Sequence, residues 1–400
     1  MPNRAAFSLL VSGAAGAAAL TAASAPSPLY PVYQRLWGFS AFMLTLIFAV
    51  YVFALLVALL TVGSLSDRIG RRPVASAALV LLAVGMVLFA IAGGSGGLIA
   101  ARVVQGLAVG AATGTTTAMI MDSAPNPRWG SIISSAVPSL GIVIGAVLAG
   151  ALVQFAPLPR QLVFWILAAV YVVLAGLVWT IPESARNATS AESPWRSLLP
   201  SAGLPANTRS TFLALVPSMS ATWALGGLYL SLGSSVLRAI LGVQNHFAVG
   251  LVLGVFFAAG TSGAVVSTAL PARWRDEISY GTLAGGVLVT VAAMPAGTLP
   301  LYVVGSVVAG FGFGATFRSA VNALGDAAPA DQRGEVFATM YIVSYLAFSL
   351  PALAAGLAVQ WFGLESTAVT YGLVDVALVA VAMGAAIARA GRERGVRVTS

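Results

Sequence analysis

Twelve long apolar runs separated by short polar turns leave this chain few possible folds. They lie near 6–27, 40–62, 73–93, 97–121, 131–153, 161–181, 210–233, 247–269, 278–296, 300–322, 334–357 and 367–388. A helix of about 20 apolar residues spans the hydrocarbon core of a bilayer and satisfies its own backbone there. The expected fold is therefore an all-α integral membrane protein with twelve transmembrane helices. Composition agrees: 59% of residues are hydrophobic and 8% charged, whereas soluble domains carry about 25% charged residues. The first run follows Arg4 and ends near Ala22 to Ala25, a pattern that imitates a secretory leader. Its length suits a span, and counting it makes the total even.

Charge orients the chain. All 20 basic residues are arginines. With both termini cytoplasmic, 16 of them fall on that side, and Arg35, Arg102, Arg160 and Arg238 fall on or towards the other. This is the bias expected of cytoplasmic loops in a multi-pass protein of the cell (inner) membrane. The net charge of +8 therefore follows topology, and nucleic acid is not an expected partner. Absent cysteine removes disulfides and thiolate metal sites, and absent lysine removes a P-loop. One histidine without a paired acid or metal pattern offers no enzyme site, so neither cofactor nor metal is expected.

The chain also divides in two. The polar stretch 182–209 reads as a cytoplasmic linker between a bundle at 1–181 and another at 210–390, with a basic tail at 391–400. A shift of 204 residues lays Gly106 on Gly310, Gly110 on Gly314, Asp122 on Asp326, Pro125 on Pro329 and Gly130 on Gly334. Fourth and tenth spans are thus equivalent, and the expected architecture is two pseudo-symmetric six-helix bundles.

Between the second and third runs lies Gly63-Ser-Leu-Ser-Asp67-Arg68-Ile-Gly70-Arg71-Arg72. Its glycines permit tight turns, and Pro73 suits the first turn of the next helix. With this ten-mer in place, the chain resembles the major facilitator superfamily along its whole length. The resemblance implies that Asp67 meets the start of the eleventh span at Gly334, and that Arg71 pairs with Asp122. Such a cluster would latch a cytoplasmic gate in one of two states; the plainer reading is a static surface ion pair worth about 0–1 kcal/mol. The counterpart loop near 262–273 carries Ser267 and Thr268 in place of the Asp-Arg pair.

Two further motifs carry the resemblance. Arg102, Gln105, Gly106 and Gly110 share one face of the fourth span and match a motif of proton-coupled members. An arginine there either snorkels outwards or is buried, and burial costs roughly 2.5–3.5 kcal/mol on the mildest scale. Gly141, Gly145 and Gly150 resemble the glycine-rich fifth-span motif of family exporters, with Ala146 where a proline is usual. Glycines there allow close helix packing and bending where the halves meet.

Trp223, Tyr229, Phe313, Phe317, Tyr341 and Tyr345 fall on helices that the resemblance makes cavity-forming, either as a surface for an amphipathic molecule or as packing between helices. Arg318 either pairs with Asp326 or faces the cavity. Asp375 is the acid well inside a span, read either as a proton carrier or as a structural hydrogen-bonding group. The reading is a monomeric secondary transporter exporting a small amphipathic or drug-like compound in exchange for protons. Its rival is an uncoupled facilitator or importer of a neutral solute or organic anion, with Arg102 or Arg318 as counter-charge.

Overall fold

The computed structural model describes residues 2–62, 65–183, 202–329 and 332–399. Among them the chain is helical throughout its long apolar runs. The first half holds α1 (Pro2–Ser24), α2 (Tyr30–Trp37), α3 (Ala41–Val62), α4 (Leu65–Ile69), α5 (Arg71–Ile91), α6 (Ser95–Ser123), α7 (Pro127–Phe155) and α8 (Leu162–Leu177). The second holds α9 (Ala206–Ser231), α10 (Gly233–Ala239), α11 (His246–Val266), α12 (Ala272–Ala293), α13 (Leu299–Ala327), α14 (Arg333–Phe362) and α15 (Leu364–Thr399). Eleven helical spans among the described residues, α2 continuing the first, are long and apolar enough to cross a membrane. The twelfth, α12, falls short because Arg273, Arg275, Asp276 and Glu277 crowd its first two turns.

The internal repeat is visible in the contacts. In each half the opening span breaks before its end. Pro26 and Pro28 interrupt α1 at a 3-10 turn before α2, and α9 breaks at Leu232 before α10. The two breaks meet: the Ser27 hydroxyl donates to the Leu230 carbonyl at 2.9 Å, and the Ser234 hydroxyl donates to the Ser27 carbonyl at 2.7 Å. Gly106 and Gly110 let α6 press on α3, where a Cβ would strike the Tyr51 and Leu55 carbonyls. Gly310 and Gly314 repeat this on α11, against the carbonyls of Phe256 and Gly260.

The halves join along two seams, α3 with α14 and α7 with α11. Gly356 sits on Thr45, and the rings of Phe48 and Phe348 lie 5.1 Å apart. On the other seam Ala146 and Gly150 of α7 face Gly250 of α11, and Val143 and Val147 cover Gly254. Lipid supplies no hydrophobic force between helices, so small residues that allow deep contact do the joining. Both seams lie towards the end of the bundle remote from α4. There the His246 backbone N–H donates to the Gln154 side chain at 2.9 Å.

Candidate functional site

At the arginine-rich end, Gly70 turns the chain with φ +105°, and α5 begins at Arg71. The Arg71 guanidinium pairs with the Asp122 carboxylate at the end of α6, with side-chain exposures of 15% and 31%. Sequence reasoning missed the third member. The Glu183 carboxylate accepts from the backbone N–H of Arg71 at 3.0 Å and of Arg72 at 3.1 Å. It thereby caps the positive end of the α5 dipole. A Cβ on Gly70 would stand 2.9 Å from it, so this position needs glycine for space as well as for φ. The available signal was an acid just past the sixth run, at the same membrane face. Arg68 is half-buried on α4. Gly63 and the Asp67 side chain lie outside the described residues. Gly334 is exposed, and among the described residues a Cβ there would meet nothing within 4 Å.

Arg102 is fully buried and does not snorkel. Its guanidinium donates to the Gln105 side-chain oxygen at 2.6 Å, to the Ala23 carbonyl at 3.2 Å, and to the Tyr30 hydroxyl. The Gln105 amide in turn donates to the Ala22 carbonyl. The rings of Tyr51, Tyr30 and Phe89 surround the cation at 5.1, 5.5 and 5.6 Å. One buried charge thus ties α1, α2, α3, α5 and α6 together through hydrogen bonds and cation–π contacts.

The fifth-span glycines divide their work. Gly141 and Gly145 face α1: a Cβ would strike the Ala17 carbonyl at the first, and Thr21 or Ser24 at the second. The Thr21 and Ser24 hydroxyls cross that contact to the carbonyls of Gly141 at 3.1 Å and Ile142 at 2.8 Å. Gly150 alone faces the other half, on α11.

The aromatic residues also separate into two groups. Trp223 stands edge-on to Tyr345 at 4.9 Å, Phe317 at 5.4 Å and Phe348 at 5.5 Å, with Tyr341 beyond Tyr345 at 6.1 Å. Its indole N–H is buried without a hydrogen-bond partner among the described residues. So are the hydroxyls of Thr316 and Ser344, chain neighbours of Phe317 and Tyr345. Tyr229 and Phe313 belong elsewhere. Tyr229 stacks on Phe256 at 4.0 Å and bonds Ser306 at 2.7 Å, and Phe313 lies 5.4 Å from Phe256. That second group is the packed interior of the second half, whereas the first keeps unused polar atoms beside its rings. Arg318, next to Phe317, is half-buried with its Nε unpartnered among the described residues. Asp375 is buried on α15 against α9 and α14, and neither carboxylate oxygen has a partner among the described residues.

Two repeated helical bundles joined by glycine seams, with a charged turn at one end and an aromatic cluster near the seam, define a multi-pass membrane transporter. Residues 13–352 match the Major Facilitator Superfamily, and the chain belongs to that family. Part of the chain is similar to Multidrug resistance protein MdtL of Escherichia coli O45:K1 (strain S88 / ExPEC), 28% identical over 155 residues, 37% of this chain and 38% of that protein. MdtL of Escherichia coli O81 (strain ED1a) is 29% identical over 152 residues, 36% of this chain and 37% of that protein. The matched segment is thus well under half the length of these relatives. Among solved structures, an inward-facing, unoccupied bacterial homolog of the human lysosomal transporter Spinster has the same fold, with a TM-score of 0.77, 16% identity and coverage of 96% of this chain and 97% of that one. The nucleoside transporter NupG (D323A mutant) follows with 0.75, 14%, 94% and 99%.

Proposed function

We propose that this transporter exports small amphipathic, drug-like compounds in exchange for protons, as a monomer in the cell membrane with both termini in the cytoplasm. The observation that carries the reading is the cluster of Trp223, Phe317, Tyr345 and Phe348 around an unbonded indole N–H. Aromatic walls with a few placed polar groups suit an apolar body bearing one or two hydrogen-bonding atoms. Phe48 of the first half touches Phe348, so the cluster borders the seam, where rocking of 1–181 against 210–390 changes access. The linker 182–209 tethers those two bodies. The partial relatives are multidrug resistance proteins by name, which supports the same substrate class.

In this reading Arg71 and Asp122 brace the first-half side of a cytoplasmic gate, and Asp67 closes it against the Gly334 end of α14. Asp375 takes up and releases the proton. The rival, a facilitator or importer using an arginine as counter-charge, is weakened at Arg102, whose guanidinium is engaged by Ala23, Gln105 and Tyr30. Arg318 is the residue through which it would act.

The test is transport in proteoliposomes loaded with a lipophilic fluorescent dye. Efflux should accelerate when the imposed pH gradient favours exchange, and Trp223→Ala should slow it. Dye flux indifferent to the gradient would overturn the proton-coupled reading in favour of facilitation.

A further inference from the structure

A cavity of about 500 Å³ lies between α9, α14 and α15. Ala224 of α9, Pro351 and Ala355 of α14, and Thr367, Tyr371 and Asp375 of α15 form its walls. The α15 residues recur every four positions and so share one helical face. Two of them are satisfied: the Thr367 hydroxyl donates to the Gly363 carbonyl at 2.7 Å, and the Tyr371 hydroxyl to the Ala224 carbonyl at 2.7 Å. Asp375 is not. It is 1% exposed, and among the described residues both carboxylate oxygens lack a partner. Buried polar groups are ordinarily bonded, so two orphan oxygens at the wall of a roomy cavity point to an occupant.

We propose that this lateral cavity binds a lipophilic amine, its ammonium against Asp375 and its apolar body among the alanines and Phe362. Charge selects a cation, since among the described residues no basic residue lines the cavity and Tyr371 is the other titratable group there. Behind α15, α12 meets Gly372 with Val287 and Val291, which bring no charge. A metal ion would need several oxygen ligands. A bare proton would need no cavity, whereas this volume lies within the range of small-molecule sites.

Depth selects a free amine over a lipid headgroup. Asp375 comes eleven residues after Leu364, the first residue of α15, or about 16 Å along the helix. That places it near the middle of the bilayer, below the headgroup layer. Phe362 and Val374, which also line the cavity, are 69% and 55% exposed on the membrane-facing surface, so entry is from the hydrocarbon. The exchange balances: the acid O–H releases its proton to solvent, and the ammonium N–H donates to the carboxylate, one proton leaving per cation bound. The inference rests on Asp375 as an acid that gives up its proton, not on the direction of transport.

The experiment is titration calorimetry of the purified full chain with 4-phenylbutylamine and with 4-phenylbutan-1-ol, in two buffers of different ionisation heat. The amine should bind at least about tenfold tighter than the alcohol and release about one proton, the stoichiometry of the exchange above. Asp375→Asn should bring the amine to the alcohol's level with no proton released. Ala355→Phe, which leaves the carboxyl in place and fills the cavity, should remove both the amine's advantage over the alcohol and the proton release. Unaltered amine binding in Asp375→Asn, or an amine preference that survives Ala355→Phe, would overturn the proposal. So would a lower amine affinity in nanodiscs containing phosphatidylethanolamine than in discs without it, which would make the headgroup the occupant. Gradient-driven dye export without amine binding would refute this site alone. Amine binding without gradient dependence would refute proton-coupled export alone.

Discussion

Replacing Gly150 with alanine should loosen the α7–α11 seam and shift the protein towards the arrangement in which that end is apart. An alanine Cβ at this position would lie 2.6 Å from the His246 carbonyl oxygen and 3.3 Å from the Gly250 Cα. An ordinary carbon–oxygen contact is about 3.3–3.6 Å, so the helices must part by nearly 1 Å. Overpacking of this kind costs about 1–3 kcal/mol. In the rocking proposed above, that cost falls on the closed seam only, so the two-state equilibrium should move roughly 5–150-fold. Contacts one turn away should go with it: the His246 to Gln154 hydrogen bond and the Phe155–Phe247 ring pair at 5.9 Å. The chain has no cysteine. Spin labels at Leu36→Cys and Trp361→Cys, both exposed and in different halves, can therefore report the separation by pulsed electron resonance in nanodiscs. The longer-distance population should grow in Gly150→Ala. It should stay fixed in Gly176→Ala, where a Cβ meets nothing within 4 Å. An unchanged distance distribution with an unchanged melting temperature in Gly150→Ala would refute the reasoning.

Three other substitutions test the remaining parts. Arg102→Met should lower the melting temperature markedly, because it leaves the Gln105, Tyr30 and Ala23 acceptors buried, at about 1–3 kcal/mol per unsatisfied group; a thermal scan with the wild-type midpoint would contradict this. Asp122→Asn should slow dye transport while barely moving the melting temperature, since the pair is partly exposed, and the double variant Arg71→Asp with Asp122→Arg should recover part of the rate. Glu183→Gln should weaken the α5 cap by about 0.3–1 kcal/mol, read as faster hydrogen exchange at the amides of Arg71 and Arg72, with no such change elsewhere.

The spans could be read from one dimension because lipid forces each crossing segment to bond its own backbone, so a run of apolar residues is already a helix. Only α12 blurs the pattern, where charges begin its first turns. Contacts between helices are another matter, since spacing gives a residue's angle around the axis without naming the neighbour at that angle. Gly141 and Gly145 are four apart and share α1, but five further residues turn the helix by roughly 140°, which carries Gly150 round to α11. That rotation was available in the sequence; the identity of α11 as its partner was not, although Gly250 and Gly254 form the small-residue pair such a seam needs. Trp223 and Tyr229, six apart, diverge by about 120°, and they enter different aromatic groups for that reason. Phe313 and Phe317 share a face and still part company, being about 6 Å apart along the axis. Asp375 shows the limit most clearly. On its own helix it is one acid in an apolar run, and the cavity beside it exists only because Ala224, Ala355 and Pro351 arrive from two other helices with side chains too small to fill the gap. A site made by what three helices leave empty has no spacing rule, so it becomes readable only once the packing is known.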